Sequence, residues 1–138
     1  QSIIEAMKLA ALMQKVHHLD ASALGAKDVL GMATSLGAKA IHMQDKIGTL
    51  EPGKEADFIV LDMLKPNTTP CHEPISSLVY SGSTANVDSV VVNGKFILQE
   101  GRFTNVDEHA ILQHAASRAG ELLKRAGKNP MRTQYYSV

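Results

Sequence analysis

The chain has 138 residues, enough for one ordinary domain, and with 44% hydrophobic and 20% charged residues it has the composition of a folded rather than a disordered polypeptide. Fourteen basic residues balance fourteen acidic ones, which leaves no net field to attract nucleic acid or an anionic membrane surface. Cys71 is the only cysteine, so an internal disulfide is excluded, and no apolar run approaches the ~20 residues of a bilayer span.

The N-terminal stretch Gln1-Ser2-Ile3-Ile4-Glu5 has no basic n-region, no cleavage pattern and no initiator Met. No signal peptide is expected, and the chain reads as starting inside a longer one. Residues 3–16 have helical spacing. Their apolar positions run from Ile3 to Val16 and the charges Glu5, Lys8 and Lys15 keep to one narrow stripe, so this helix needs cover on more than one side. A second amphipathic helix is predicted over 26–36, with Val29, Leu30, Ala33 and Leu36 inward, Gly25 as N-cap and Gly37 as the C′ stop. A short turn, 38–42, is expected after it.

The pattern changes near Asp45. Pro52-Gly53 marks a tight turn and residues 56–61 a short strand ending at Asp62. The proline-rich stretch 65–74 reads as loop, and 75–80 as one or two helical turns. Val87 to Val92 and Lys95 to Gln99 flank Asn93-Gly94, the preferred pair of a two-residue type I′ hairpin. Glu100-Gly101 turns the chain again before a short strand at Arg102-Phe103. The last helix is predicted over 106–126, with Asn105 and Glu108 as a capping box and Ile111, Ala115, Ala119, Leu122 and Ala126 as a buried stripe. Residues 129–138 lack periodicity and read as a flexible tail. The fold class is α+β, because the strands are antiparallel where they can be read and no βαβ alternation occurs.

Six histidines invite a metal reading, but no ligand set emerges from their spacing. His17 and His18 are adjacent and diverge on a helix. His109 and His114 are five apart and do not share a face. His42 and His72 stand alone, and there is no His-x-His or His-Glu-x-x-His. Cys71-His72-Glu73 places a thiol, an imidazole and a carboxylate in a row, yet catalytic triads converge in space rather than in sequence. Ser81-Gly82-Ser83 lacks the flanks of a nucleophile elbow. Gly25, Gly31 and Gly37 lack the Lys-Ser/Thr of a phosphate loop. Asp57 and Asp62 fall on opposite faces of a strand, which favours turn roles over paired acid–base work.

The segment Ile47-Gly48-Thr49-Leu50-Glu51-Pro52-Gly53-Lys54-Glu55-Ala56-Asp57-Phe58-Ile59-Val60-Leu61-Asp62 resembles an "IGSLEPGKxADLVVLD" signature of the amidohydrolase superfamily. Its flanks follow in the family's order. Residues 5–15 are similar to "EMRLAALLxK", and Met32 to Ile41 to "MATxxGAxAL". Thr69 to Tyr80 resemble "TPxHDPxSxLVY", and Val87 to Gly101 the hairpin "VxxVxVNGKxVxxxG". The likeness covers about residues 3–126 and is nearest to the branch of 5-methylthioadenosine/S-adenosylhomocysteine deaminases and triazine chlorohydrolases.

The resemblance implies that residues 1–45 are terminal helices of a TIM-type hydrolase barrel and that 46–104 form part of a composite β-sandwich. Residues 105–128 would be a C-terminal helix and 129–138 a tail. It implies a divalent metal, zinc or iron, in the intact enzyme. There a metal-activated water hydrolyses a C–N or C–Cl bond on a small ring substrate. The family's metal ligands, a His-x-His, later histidines and the Asp of "GTDGxxS", would precede Gln1. No catalytic, cofactor or metal residue is therefore assigned in this chain, and Glu5, Asp20 and Asp28 are not promoted to that role. The chain alone is expected to be inactive and to bind no metal. Its partners are expected to be a small-molecule substrate and further copies of itself, with no nucleic acid or membrane partner. A reducing, cytoplasmic location accords with the single thiol. The alternative is a free-standing, non-enzymatic dimerisation or binding module. At ~25 cal/mol per Å², leaving a few hundred Å² of apolar face uncovered costs on the order of 5–10 kcal/mol. That is comparable to a domain's whole stability.

Overall fold

The computed structural model describes residues 2–128. Helix α1 spans Ile3–His18. Ser2 caps it, its hydroxyl accepting from the Glu5 N–H at 3.3 Å, and Lys15, His17 and His18 occupy the last turn, where positive charge suits the helix dipole. Only Ile4, Met7 and Ala11 are buried, on one stripe; Leu9, Leu12, Met13 and Val16 are exposed on another. The helix ends at Leu19 in the left-handed region (φ 50°), and the Lys15 ammonium reaches forward to donate to the carbonyls of Ala21 and Ala23.

The predicted helix over 26–36 is two helices, α2 (Ala26–Ala33) and α3 (Ser35–Ala40), broken at Thr34. Thr34 leaves helical geometry (φ −126°, ψ −102°) and its hydroxyl donates to the Leu30 carbonyl at 2.7 Å, so it competes with the backbone ladder. Gly37 is therefore not a stop. It lies inside α3, where a Cβ would stand 2.7 Å from the Met32 carbonyl oxygen. The turn expected over 38–42 is correspondingly shortened, because α3 runs to Ala40. Gly25 is the N-cap of α2 as expected, and the Asp28 carboxylate accepts from its N–H at 2.9 Å.

Strands β1 (Phe58–Leu61), β2 (Val87–Val92), β3 (Lys95–Gln99) and β4 (Arg102–Phe103) form one antiparallel sheet in the order β1-β2-β3-β4. Ile59 pairs with Val90, Val91 with Phe96 and Leu98 with Phe103. The β2–β3 turn is the expected two-residue loop: Asn93 (φ 49°) and Gly94 (φ 71°) are both left-handed, as type I′ requires. Between β1 and β2 lies α4 (Pro74–Ser81), one residue longer at each end than predicted. Pro74 sits in its first turn, and Glu73 caps it by accepting from the Ser76 N–H at 2.8 Å. A short 3₁₀ turn, Thr84–Asn86, leads into β2.

The core gathers Ile4, Met7 and Ala11 of α1, Ala26 and Val29 of α2, and Leu78 and Val79 of α4, with Leu61 and Val87 packed against them. The chain divides into two compact units, Gln1–Thr104 and Asn105–Val138. The second holds α5 (Glu108–Arg125). Its cap is Asp107, accepting from the Ala110 N–H at 3.0 Å, and not the predicted Asn105. No residue of α5 is buried. The predicted stripe of Ile111 and Leu122 is exposed, because a lone helix has no second element in its own unit to cover it. The tail predicted over 129–138 lies outside the described residues.

Candidate functional site

Each chemistry-bearing residue singled out by sequence has a definite place. His17 and His18 stack edge to face, ring centroids 4.8 Å apart, at the end of α1. His42 follows α3, His72 precedes α4, and His109 and His114 lie on α5. All six histidines are exposed. Among the described residues no three His, Cys, Asp or Glu side chains stand where one cation could take them all. A zinc centre needs three or four converging donors, so these residues do not fit one.

The acidic residues are engaged in local structure. Asp20 accepts from the Ser22 hydroxyl and N–H at 2.6 and 2.8 Å, and these bonds hold its carboxyl below the ordinary range. Glu73, the third member of the Cys71-His72-Glu73 row, uses its carboxylate to cap α4. The Ser76 N–H lowers its pKa for the same reason that it caps the helix. Asp62 accepts from the Leu64 N–H at 2.9 Å and pairs with Lys65 at 3.3 Å; both interactions favour its charged form. Asp57 accepts from the Asn93 N–H at 2.6 Å, thirty-six residues along the chain. Asp57 and Asp62 therefore serve turns, as their opposite-face spacing suggested.

The signature segment 47–62 works as a junction. Gly48 (φ 95°) lies so close to α3 that a Cβ would meet the Ala38 Cβ at 2.6 Å. Lys54 donates to the Thr49 hydroxyl at 2.6 Å and pairs with Glu51 at 3.4 Å, closing the Pro52-Gly53 turn. The Thr49 hydroxyl and the Lys54 charge both lower the Glu51 pKa. The Glu55 N–H donates to Lys46, the Ala56 carbonyl accepts from Gly94, and Asp57 holds Asn93. One short segment thus fastens α3 to the tip of the β2–β3 hairpin.

Sequence reasoning missed Asn86, which is fully buried. Its amide donates to the Asp62 carbonyl at 2.9 Å and the Thr68 hydroxyl at 3.1 Å, and accepts from Asn67 at 2.8 Å and the Ser83 N–H at 3.0 Å. The four contacts tie the 62–68 loop to the start of β2, and no buried side-chain polar atom among the described residues is left without a partner. A lone Asn before a strand carries no pattern that would have announced this.

What remains open is apolar. A cavity of about 560 Å³ is lined by Leu30, Ala33, Ile41, Ile47, Leu50 and Phe58. It runs into a groove of about 350 Å³ between α1, α2 and the sheet, bordered by Ile3, Met7, Ile59 and Val91. The exposed α1 stripe and the outer residues of β1, Phe58, Ile59 and Val60, add to this apolar surface. It can exclude water from an apolar partner, and its polar lining side chains, Thr34, Thr49 and Asp57, already hydrogen-bond to Leu30, Lys54 and Asn93. Among the described residues no helix is long and apolar enough to cross a membrane.

The sequence pattern of the amidohydrolase family matches residues 1–97. A 5-methylthioadenosine/S-adenosylhomocysteine deaminase of Pelotomaculum thermopropionicum is 39% identical over 123 residues, 89% of this chain and 28% of that protein. A zinc-bound adenosine deaminase from Xanthomonas campestris superposes with a TM-score of 0.84 at 30% identity, covering 88% of this chain and 28% of its own. An atrazine chlorohydrolase from Arthrobacter aurescens, complexed with zinc, superposes with a TM-score of 0.75 at 26% identity, over 83% of this chain and 25% of its own. The chain spans less than a third of the length of the curated relatives it matches.

Proposed function

The chain belongs to the amidohydrolase family, and from that membership we propose that it is the C-terminal portion of a metal-dependent enzyme that hydrolyses a C–N or C–Cl bond on a ring substrate. In this reading α1, α2 and α3 are outer helices of a barrel, within residues 1–45. Residues 46–104 belong to a composite β-sandwich and 105–128 form a C-terminal helix. The divalent metal and its ligands are supplied by polypeptide outside these 138 residues, and the chain alone is inactive.

The observation that carries the reading is the 39% identity to a deaminase of which this chain matches only 28%. The continuous apolar face supports it, because α1, α2 and β1 present surface of the kind that a barrel and further strands would cover. A deaminase at 39% identity and a triazine hydrolase at 36% support the C–N and the C–Cl chemistry alike.

The test is direct. Purified chain given zinc is expected neither to retain it stoichiometrically nor to release ammonia from 5-methylthioadenosine or chloride from a chlorotriazine. The coding sequence upstream of Gln1 is expected to encode a His-x-His pair and a GTDG-type Asp. Unaided hydrolysis by the chain, or an upstream reading frame without those ligands, would overturn the proposal.

The exposed apolar faces also favour a second reading, a non-enzymatic module that self-associates through α1. Restoration of hydrolysis when the chain is joined to the upstream polypeptide distinguishes the first reading from this one.

A further inference from the structure

We infer that Asn93 is a site of spontaneous deamidation, and that the clip formed by Ala56 and Asp57 sets its rate. Asn93-Gly94 is the chain's only Asn-Gly pair. It forms the tip of the β2–β3 hairpin, where Asn93 is exposed and Gly94 has open space around the position a Cβ would occupy. Among the described residues nothing bonds the Asn93 side-chain amide; only its backbone N–H is held, by Asp57.

The chemistry needs nothing but water. The Gly94 amide nitrogen attacks the Asn93 side-chain carbonyl carbon, and the new N–C bond closes a five-membered imide. The C–N bond of the side-chain amide breaks, and that nitrogen leaves as ammonia with the proton lost by Gly94. Water then opens the imide at either carbonyl, giving aspartate or isoaspartate. Glycine at the second position leaves the attacking nitrogen unhindered. The other described asparagines are followed by β-branched residues, Asn67 by Thr68, Asn86 by Val87 and Asn105 by Val106, and these crowd the same attack.

The fold restrains the reaction. The Gly94 N–H donates to the Ala56 carbonyl at 3.1 Å, so the attacking nitrogen is engaged, and the Asp57 carboxylate pins Asn93 in its left-handed turn. The hairpin tip must leave this clip before the ring can close. Aspartate can return to the original turn, because Asp-Gly also suits type I′, but isoaspartate cannot. Isoaspartate lengthens the backbone by one methylene, which the two-residue loop pairing Val92 with Lys95 does not accommodate. Either product also places a new carboxylate beside Asp57.

The experiment ages the purified full chain at 37 °C across neutral to mildly alkaline pH and maps its peptides by mass spectrometry and enzymatic isoaspartate labelling. Amide-to-acid conversion is expected at Asn93 and not at Asn67, Asn86 or Asn105, faster as pH rises because the Gly94 nitrogen must lose its proton. Asp57→Ala should raise the rate several-fold, whereas Asp57→Asn, whose amide oxygen still accepts from Asn93, should leave it near the starting value. Should Asp57→Ala fail to fold, urea below the unfolding transition should speed conversion in the unmodified chain by loosening the tip. Conversion spread evenly over the asparagines, or none at Asn93, overturns the site. A rate indifferent to both Asp57→Ala and urea overturns the clip.

Discussion

At the scale of single residues, the family signature has a physical rationale that owes nothing to catalysis. Gly48 combines a left-handed backbone (φ 95°) with a 2.6 Å approach to the Ala38 Cβ. Gly53 has a similar φ of 93° but nothing within 4 Å. Substitution by alanine should separate the two effects. Gly48→Ala is expected to cost about 2–4 kcal/mol, backbone strain plus overpacking against α3, while Gly53→Ala should cost about 1 kcal/mol for the backbone alone. Urea unfolding of the two variants measures the difference, and equal losses would show that the close approach to α3 is unimportant. Asn86 makes the complementary point. Its importance comes from four partners brought together by the chain path, none of them neighbours in sequence except Ser83.

At the scale of elements, α1, α4 and α5 each start at a side-chain cap, Ser2, Glu73 and Asp107, whereas α3 starts at Thr34 without one. Glu73 and Asp62 hold α4 and the loop after β1 through backbone N–H groups, and in both the folded pKa lies below the ordinary value, 4.5 and 3.8 respectively. A depressed carboxylate contributes stability above its ordinary pKa, and that stability is lost as pH falls through the folded pKa. The urea midpoint is therefore expected to stay level from neutral pH to about pH 5 and to decline below about pH 4.5 as these caps protonate. Glu73→Gln with Asp62→Asn should flatten that decline, and an unchanged acid limb would assign it to other groups. On α1 the two methionines report on the two faces. Met7 is 6% exposed and Met13 66%. Met7→Ala should cost about 2–5 kcal/mol in this chain, and Met13→Ala no more than about 0.5 kcal/mol. If the outer stripe of α1 is covered in the intact enzyme, Met13→Ala should cost there as much as Met7→Ala does here.

At the scale of the whole molecule, the apolar cavity and groove beside α2 and β1 leave surface that water disfavours. The purified chain is accordingly expected to self-associate. Light scattering across a concentration series should give a mass that rises above that of the 14.9 kDa chain. A monodisperse monomer that unfolds cooperatively would mean that these faces tolerate exposure, and would weaken the proposal that a barrel and sandwich normally cover them.

How much of this was legible beforehand follows from the range of the forces involved. Helices α1 and α4, the Asn93-Gly94 hairpin and the turn at Pro52-Gly53 depend on contacts within a few residues, and their capping and turn residues stand side by side in the sequence. The α+β class and the family likeness were readable for the same reason. The break at Thr34, the place of Gly37 inside α3 and the buried station of Asn86 were not. Nor were the joining of Asp57 to Asn93 and the exposure of half of α1. Each depends on which distant segment arrives beside a residue, and a hydroxyl, a glycine or an amide looks the same in sequence whether a carbonyl from far along the chain meets it or not. Periodicity marks which side chains seek cover; only the packed chain decides which of them receive it.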